Sequence, residues 1–340
     1  MKHLMLVMIS IFCTLSFTFA ESTVSDTTRS IFDDFYQPDK VVEVTLQFDC
    51  KAFIRTKQKQ EEHPATLTYQ RPNGESVTQT IKVLSRGRLR LEICGFPPMK
   101  LDFDKKNLET QGFSTEMDEI KLVTHCYDNN RNDQLVIKEF LAYQLYNVIE
   151  KYSYRVQLLN VKYVDMDGKL YAENKAFMIE PTDAMAARLG CRESERHLQN
   201  ESELNADTYA NMLLFQYMIG NVDFDITSLH NVKLVKPLST GWYIPVPYDF
   251  DFSGLVSAQY AAPQERVNQK YVGERILVGK FQSDASFQAS LQRFLDARQQ
   301  ILDICNNFSY LDDKEKEKAL KYLNAFFKRI EQKKMSPDKL

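Results

Sequence analysis

Short catalytic signatures are few in this 340-residue chain. It has no H-E-x-x-H helix, no G-x-S-x-G elbow and no C-x-x-C pair, which removes the usual zinc peptidase, serine hydrolase and zinc-cage readings. Eleven glycines exclude a collagenous or Gly-rich fibre. Neither sign of charge dominates, since 43 basic and 46 acidic residues leave a net of −3, and nothing electrostatic favours nucleic acid. Repeats and low-complexity tracts are absent, and no stretch after the N-terminus is apolar enough to span a bilayer. What is abundant is material for a core: 44% hydrophobic residues, with 22 Phe and 17 Tyr that need burial. At roughly 150 residues per domain the length suggests about two domains.

The first 20 residues read as a secretory signal peptide. Lys2 gives the positive start, Leu4 to Phe12 an apolar core, and Thr18 and Ala20 small residues before a cut at Glu21. The competing reading is an uncleaved anchor. The expectation is an exported chain, periplasmic or extracellular, with no integral span after cleavage. Export permits disulfides. The remaining cysteines are Cys50, Cys94, Cys126, Cys191 and Cys305, an odd number, so at least one has no intramolecular partner. Cys50 and Cys94 lie in strand-like runs and either pair or stay as buried thiols.

Residues 21–36 are polar and read as a mobile lead-in. From Val41 the alternation of Val42, Val44, Leu46 and Phe48 with polar residues predicts a half-buried strand. Residues 66–71 and Val77 to Leu84, joined through Pro72-Asn73-Gly74, predict a hairpin. Further strands are predicted at Arg88 to Ile93, Met99 to Phe103 and Ile120 to Thr124. A helix over Asp133 to Lys151 carries Ile137, Leu141, Leu145 and Val148 at helical spacing. Strands at Arg155 to Val164 and Leu170 to Ile179 flank a turn at Asp165-Met166-Asp167-Gly168. After Pro181 the pattern turns helical: Thr182, as cap, to Arg188, then 206–219, 286–304 and 312–333. The last carries an apolar stripe of Leu320, Leu323, Phe326, Phe327 and Ile330 that reads as a docked face. Strands followed by helices give an α+β class with a seam near Pro181.

The chemistry concentrates between Met218 and Gly254. An apolar helix ends at Gly220, followed by Asn221, Asp223, Asp225, His230 and Asn231. A strand pair then delivers Asp249 and Asp251 ahead of Phe252-Ser253-Gly254. The two ends of an antiparallel hairpin are close in space, so Asp223 or Asp225, Asn231, Asp249 and Asp251 are expected to converge. Clustered carboxylates repel unless a cation joins them, and Asp and Asn oxygens suit a hard divalent ion such as Mg²⁺. The order is that of protein kinases, where the first Asp handles the nucleophile's proton and the Asn and later Asp hold metal. The bland alternatives are an acidic turn for Asp-Phe-Asp, a helix cap for Asn221 and a structural imidazole for His230.

At these residues the chain resembles the CotH family of kinase-like spore coat and secreted proteins, and looks closest to an exported bacterial branch. The resemblance rests on Ser85 to Arg90, Cys94 to Leu101, Lys121 to Cys126, Glu139 to Tyr143, Phe177 to Pro181, Tyr217 to Asp223, His230-Asn231 and Pro247 to Phe252, in family order over about residues 80–265. It implies a two-lobed protein-kinase-like fold: a β-rich front comprising 21–115 and 116–180, and a helical lobe, 181–340, carrying the acidic hairpin. It also implies ATP, Mg²⁺ or Mn²⁺, and transfer of phosphate to a protein. Carried over, Asp223 is the catalytic-loop acid, with Asp225 a second acid beside it. Asn231 and Asp251 hold metal with Asp249 in support, Arg86-Gly87 lies over the phosphates, and Glu180 falls at the adenine hinge. The phosphate-anchoring lysine is Lys121, with Glu139 as its partner, or Lys100. The chain departs from the kinase pattern in having no Gly-rich triplet and one extra residue before Gly254.

Three functions compete on this reading. The first is an exported metal-dependent phosphotransferase. The second is a non-catalytic envelope protein that binds a protein or glycan partner on the same scaffold. The third is a metal-dependent hydrolase using the acidic cluster.

Overall fold

The computed structural model describes residues 29–340 apart from 128–129, 199 and 332–335. The predicted signal peptide lies outside the described residues. The strands are β1 Val42–Phe48, β2 His63–Gln70, β3 Ser76–Ser85, β4 Met99–Phe103, β5 Glu119–Val123, β6 Val156–Val164, β7 Leu170–Ile179, β8 Cys191–Ser194, β9 Val232–Pro237 and β10 Ile244–Pro247. The helices are α1 Cys50–Thr56, α2 Leu89–Ile93, α3 Lys105–Thr110, α4 Asn130–Ile149, α5 Thr182–Arg188, α6 Ala206–Ile219, α7 Asp284–Asn307 and α8 Asp313–Ile330. No described helix is long and apolar enough to cross a membrane.

Period-two alternation builds the front of the molecule. Val42, Val44, Leu46 and Phe48 all point inward from β1. The Asn-Gly turn joins β2 to β3, with Gly74 in the positive-φ conformation (87°) that such turns favour. The strand order is β1-β2-β3-β4-β5-β7-β6, and a parallel pairing of β6 with β1 closes the sheet into a seven-stranded barrel. The α+β class holds, but the two-lobed kinase-like body that the resemblance implied is corrected. Two features account for this. Strands from residues 40–85 turn the front sheet into a closed barrel. One apolar cluster also runs from Phe177 and Ile179 of β7 through Leu141 and Leu145 of α4 to Leu214 of α6, Phe294 of α7 and Phe326 of α8. The core therefore continues across the expected seam at Pro181.

Other local expectations are also corrected. Arg88 to Ile93 is not a strand. Leu89–Ile93 forms the short helix α2; its apolar residues alternate with Arg90 and Glu92, but only Leu91 among them is buried, so no sheet covers that face. The described part of the lead-in is packed: Ser30 caps a turn of 3-10 helix over Ile31–Asp34, and Ile31, Phe32 and Phe35 are buried in the barrel. Asp34 is buried there too, held by Arg71 at 2.6 Å and the Tyr69 hydroxyl at 3.0 Å. The helices α1 and α3 were not expected; Asp49 and Asp104 cap them. Pro181, not Thr182, is the cap residue of α5, and Thr182 instead meets the Tyr154 hydroxyl at 3.0 Å. Cys94 pairs with Cys126, leaving Cys50, Cys191 and Cys305 as buried thiols.

Candidate active site

The site begins where α6 ends. Gly220 takes the left-handed conformation (φ 64°), and the amide of Asn221 donates back to the Gln216 oxygen at 2.8 Å, a glycine stop that satisfies the last carbonyls. The Asn221 side chain then accepts from the Asp223 amide at 3.0 Å. Val222 and Phe224 are buried on either side and fix Asp223 between them. Arg266 donates to the carbonyl oxygens of both Val222 and Phe224 and clamps the same loop from a later segment.

Asp223 is the better-oriented of the two candidate acids. Its Oδ1 faces His230 Nε2 at 3.2 Å, and its Oδ2 accepts from the Asn231 amide at 3.1 Å. Asp225 is committed to a turn. Its Oδ1 accepts from the Thr227 hydroxyl (2.6 Å) and from the amide (2.8 Å) and hydroxyl (3.0 Å) of Ser228. These bonds, that to Thr227 foremost, hold its carboxyl down at about 2. The second acid expected beside Asp223 is thus engaged, through Oδ1, within its own turn.

The hairpin brings its two ends together. Beyond the Val232–Pro247 pair, the Tyr248 amide donates to the Asn231 oxygen at 3.1 Å. Asn231 (φ 53°) and Asp249 (φ 62°) flank the hairpin in the left-handed region, which Asn and Asp enter more readily than other residues with side chains. The Asp249 amide donates to the Tyr143 hydroxyl of α4 at 2.9 Å. Phe250 drives into the core, edge-on to Tyr143 (4.7 Å) and Phe215 (5.6 Å). Asp251 is buried and accepts from the Tyr260 hydroxyl at 2.9 Å. Burial first, then the charges of Asp249 and Asp223, push its carboxyl up to about 7. Gly254 is required by a close approach, since a Cβ there would lie 2.3 Å from the Gly273 Cα. Its amide donates to the Gly220 oxygen at 3.1 Å and ties the acidic segment to the end of α6.

A cavity of about 230 Å³ lies beside these groups, bordered by Arg86, Lys121, Glu180, Glu193 and Tyr248. Lys100 and Lys121 are cross-strand neighbours on β4 and β5, but their surroundings differ. Lys100 is paired with Glu119 at 2.6 Å. Lys121 stands 5.2 Å over the Tyr248 ring and forms no ion pair among the described residues. Burial, then the Arg86 and Lys233 cations, push its ammonium down to about 8 against the pull of Asp249. Glu180 borders the cavity with its carboxylate already taken, by Arg155 at 2.8 Å and Arg188 at 2.8 Å. Glu139 is buried on α4 and forms no ion pair with Lys121 among the described residues. Burial and the Asp251 and Asp249 charges raise its carboxyl well above the usual range, opposed by Arg90 and Arg86.

Arg90 is a side chain of the candidate site that sequence reasoning passed over. It projects from α2, donates to the Thr124 oxygen at 2.5 Å and lies 5.7 Å from the Tyr260 ring, while its Nε is buried without a partner. It is the cation that Asp251 and Glu139 feel most. Tyr143, Tyr260 and Arg266 were also missed. Tyr143 and Arg266 reach residues far away in the chain, and Tyr260 reaches back nine residues across an irregular loop; no spacing rule carries either signal. Among the described residues no three His, Cys, Asp or Glu side chains meet closely enough to hold a metal ion.

Among curated proteins, none matches the chain. Among solved structures, the crystal structure of a Helicobacter pylori proinflammatory kinase, CtkA, is similar at 9% identity and a TM-score of 0.38, covering 68% of this chain and 90% of that one. A family model described as CotH kinase protein matches residues 98–336, which takes in Lys121, Glu139, Asp223, Asn231, Asp249 and Asp251. With well over half its length matched, the chain belongs to the CotH kinase protein family.

Proposed function

We propose that this protein is an exported, metal-dependent phosphotransferase of the atypical protein-kinase type that uses ATP and modifies a protein substrate. The observation that carries the reading is a set of uncompensated charges: cations that border the cavity, and the Asp249 and Asp251 carboxylates, which follow Tyr248 in the chain but do not line it. On one side Lys121, beside Arg86, has no anionic partner within ion-pair distance among the described residues. On the other side, burial first and then the Asp249 charge raise the Asp251 carboxyl to about 7. Buried and half-buried charges left in this state fit a missing counter-charge of each sign. A polyphosphate suits the cations. A hard divalent ion such as Mg²⁺ or Mn²⁺ suits the oxygen donors of Asn231, Asp249 and Asp251. Bound there, the ion would supply charge neutralisation at the phosphate oxygens.

The remaining work falls to the chain's own groups. Lys121 and Arg86 neutralise and orient phosphate oxygens. Asp223, held by His230 and Asn231, accepts the proton of an acceptor hydroxyl at a carboxylate oxygen. Arg90 and Tyr260 keep Asp251 in place. Positioning and charge stabilisation carry such a reaction. The Cys94–Cys126 disulfide supports an oxidising, extracytoplasmic setting, in keeping with the signal-like N-terminus.

The test is transfer of label from ATP, with Mg²⁺ or Mn²⁺, by the purified chain to itself or to envelope proteins. Transfer is expected, together with its loss in Lys121→Met and Asp223→Asn. A wild-type chain that transfers no label and shows no nucleotide-induced thermal shift ends the reading and leaves a binding protein on this scaffold.

A further inference from the structure

A second cavity, of about 550 Å³, is walled by α4, by α8 and by the chain that follows Gly254. Its volume falls within the range of small-molecule sites. It shares no lining residue with the cavity beside Lys121. Leu135, Leu255 and Ala319 supply apolar surface. Lys138, Lys314 and Lys318 supply cations.

The polar contacts leave positive charge in excess. Glu315 is shared by two ammonium groups, Lys138 at 2.9 Å and Lys318 at 2.5 Å. The other lining carboxylate, Asp312, caps α8 by accepting from the Glu315 amide at 2.8 Å. Lys314 forms no ion pair among the described residues. Lys138 has a side chain only 7% exposed and half of one carboxylate to answer it. Burial pushes its ammonium below the ordinary lysine range in spite of Glu315.

We propose that this cavity is a binding site for a small amphipathic anion. A carboxylate or phosphate group would meet Lys138, Lys314 and Lys318, and a compact apolar body would lie on Leu135 and Leu255. The cavity adjoins two elements that carry residues of the candidate active site. Lys138 precedes Glu139 on α4, and Gly254 and Leu255 follow Asp251 on a segment hydrogen-bonded to the end of α6. An occupant would therefore press on the two elements that carry the buried acids.

The proposal does not require phosphotransfer and is tested by binding alone. Phenyl phosphate and phenylacetate represent the two anion chemistries, and benzyl alcohol is the neutral control. At least one anion is expected to bind the full chain and to lose at least about tenfold in affinity in Lys314→Met/Lys318→Met. Both positions are exposed, so this variant keeps its fold. The remote variant Lys106→Met/Lys169→Met makes the same change in net charge and is expected to keep wild-type affinity. The proposal is overturned if neither anion binds, if benzyl alcohol binds as well as the anions, or if the two double variants behave alike.

Discussion

The side-chain amide of Asn231 donates to both the backbone oxygen of Asp223, at 2.8 Å, and its Oδ2, at 3.1 Å. A single residue thus orients the carboxylate and pins the loop that carries it. Asn231→Gly separates the amide from the backbone conformation, because glycine accepts the φ of 53° without strain. Phosphoryl transfer is expected to fall about 10²-fold in this variant, the scale on which misplaced groups lose rate. The lost bonds are each worth only about 1 kcal/mol of stability, so the thermal midpoint moves little. Measuring kcat and the unfolding midpoint together checks this; a large drop in midpoint would mean the amide serves the fold alone.

On the proposed function, Lys121 is expected to make nucleotide affinity fall at alkaline pH. Its ammonium is depressed from 10.5 to about 8. The folded protein therefore loses this charge as pH rises through about 8, where the unfolded chain still keeps it. Nucleotide affinity is expected to weaken between pH 7.5 and pH 9, windows set by that value. The sign for stability is opposite. Charged Lys121 is a cost to the fold below about 8, and the cost is relieved as pH rises toward 10.5. Titrations of nucleotide binding should show the alkaline loss in wild type and none in Lys121→Met, which binds weakly throughout.

Local pattern made most of the barrel strands, α4 and α6 legible. The order of Asp223, Asn231, Asp249 and Asp251 around one hairpin could also be read, because a two-strand unit brings its ends together whatever surrounds it. Closure of the barrel could not. It depends on β1 finding β6 more than 100 residues away, and pairing partners leave no mark in the alternation of either strand. Leu89 to Ile93 misled because Leu-Arg-Leu-Glu-Ile alternates in polarity while all its members also form helix well. The sequence left open whether Cys50 pairs with Cys94 or stays a buried thiol, because bonding follows spatial approach; Cys50 is a buried thiol, and the partner is Cys126, just past the end of β5. Arg90 was out of reach for the same reason, since the charge it answers, Asp251, is far off in the chain; Tyr260 is only nine residues from Asp251, but the loop between them has no periodicity to read.

Asp251 should show a conflict between stability and function. Its carboxyl is raised from 3.8 to about 7. The native state therefore holds a proton that the unfolded state has released between those values, and stability falls as pH rises from about 4 toward 7. Asp251→Asn removes the buried charge and keeps the shape. It is expected to unfold a few degrees higher than wild type at pH 8 and with little difference at pH 5, while Mn²⁺ binding and label transfer are lost at both. Thermal melts across that range, with and without Mn²⁺, supply the comparison; a variant less stable at pH 8 would show that the carboxylate is compensated in the apo protein.

The disulfide links this acidic centre to the redox state of the surroundings. Cys94 follows directly on α2, and Cys126 lies just past the end of β5, so the bond closes a loop with a sequence separation of 32. Chain entropy for a loop of that size gives about 3–4 kcal/mol of stability. The same bond holds one end of the helix bearing Arg90, whose guanidinium reaches Thr124 two residues before Cys126. Reduction should therefore act twice: the midpoint falls, and label transfer weakens as Arg90 loses its fixed relation to Asp251. Dithiothreitol is expected to do both in wild type and neither in Cys94→Ser/Cys126→Ser, which begins at the reduced level. Arg90→Met separates the effects, because it should keep the thermal response to reductant while its transfer rate is already low and no longer changes. Equal sensitivity of transfer to reductant in Arg90→Met and wild type would place the redox effect elsewhere in the barrel.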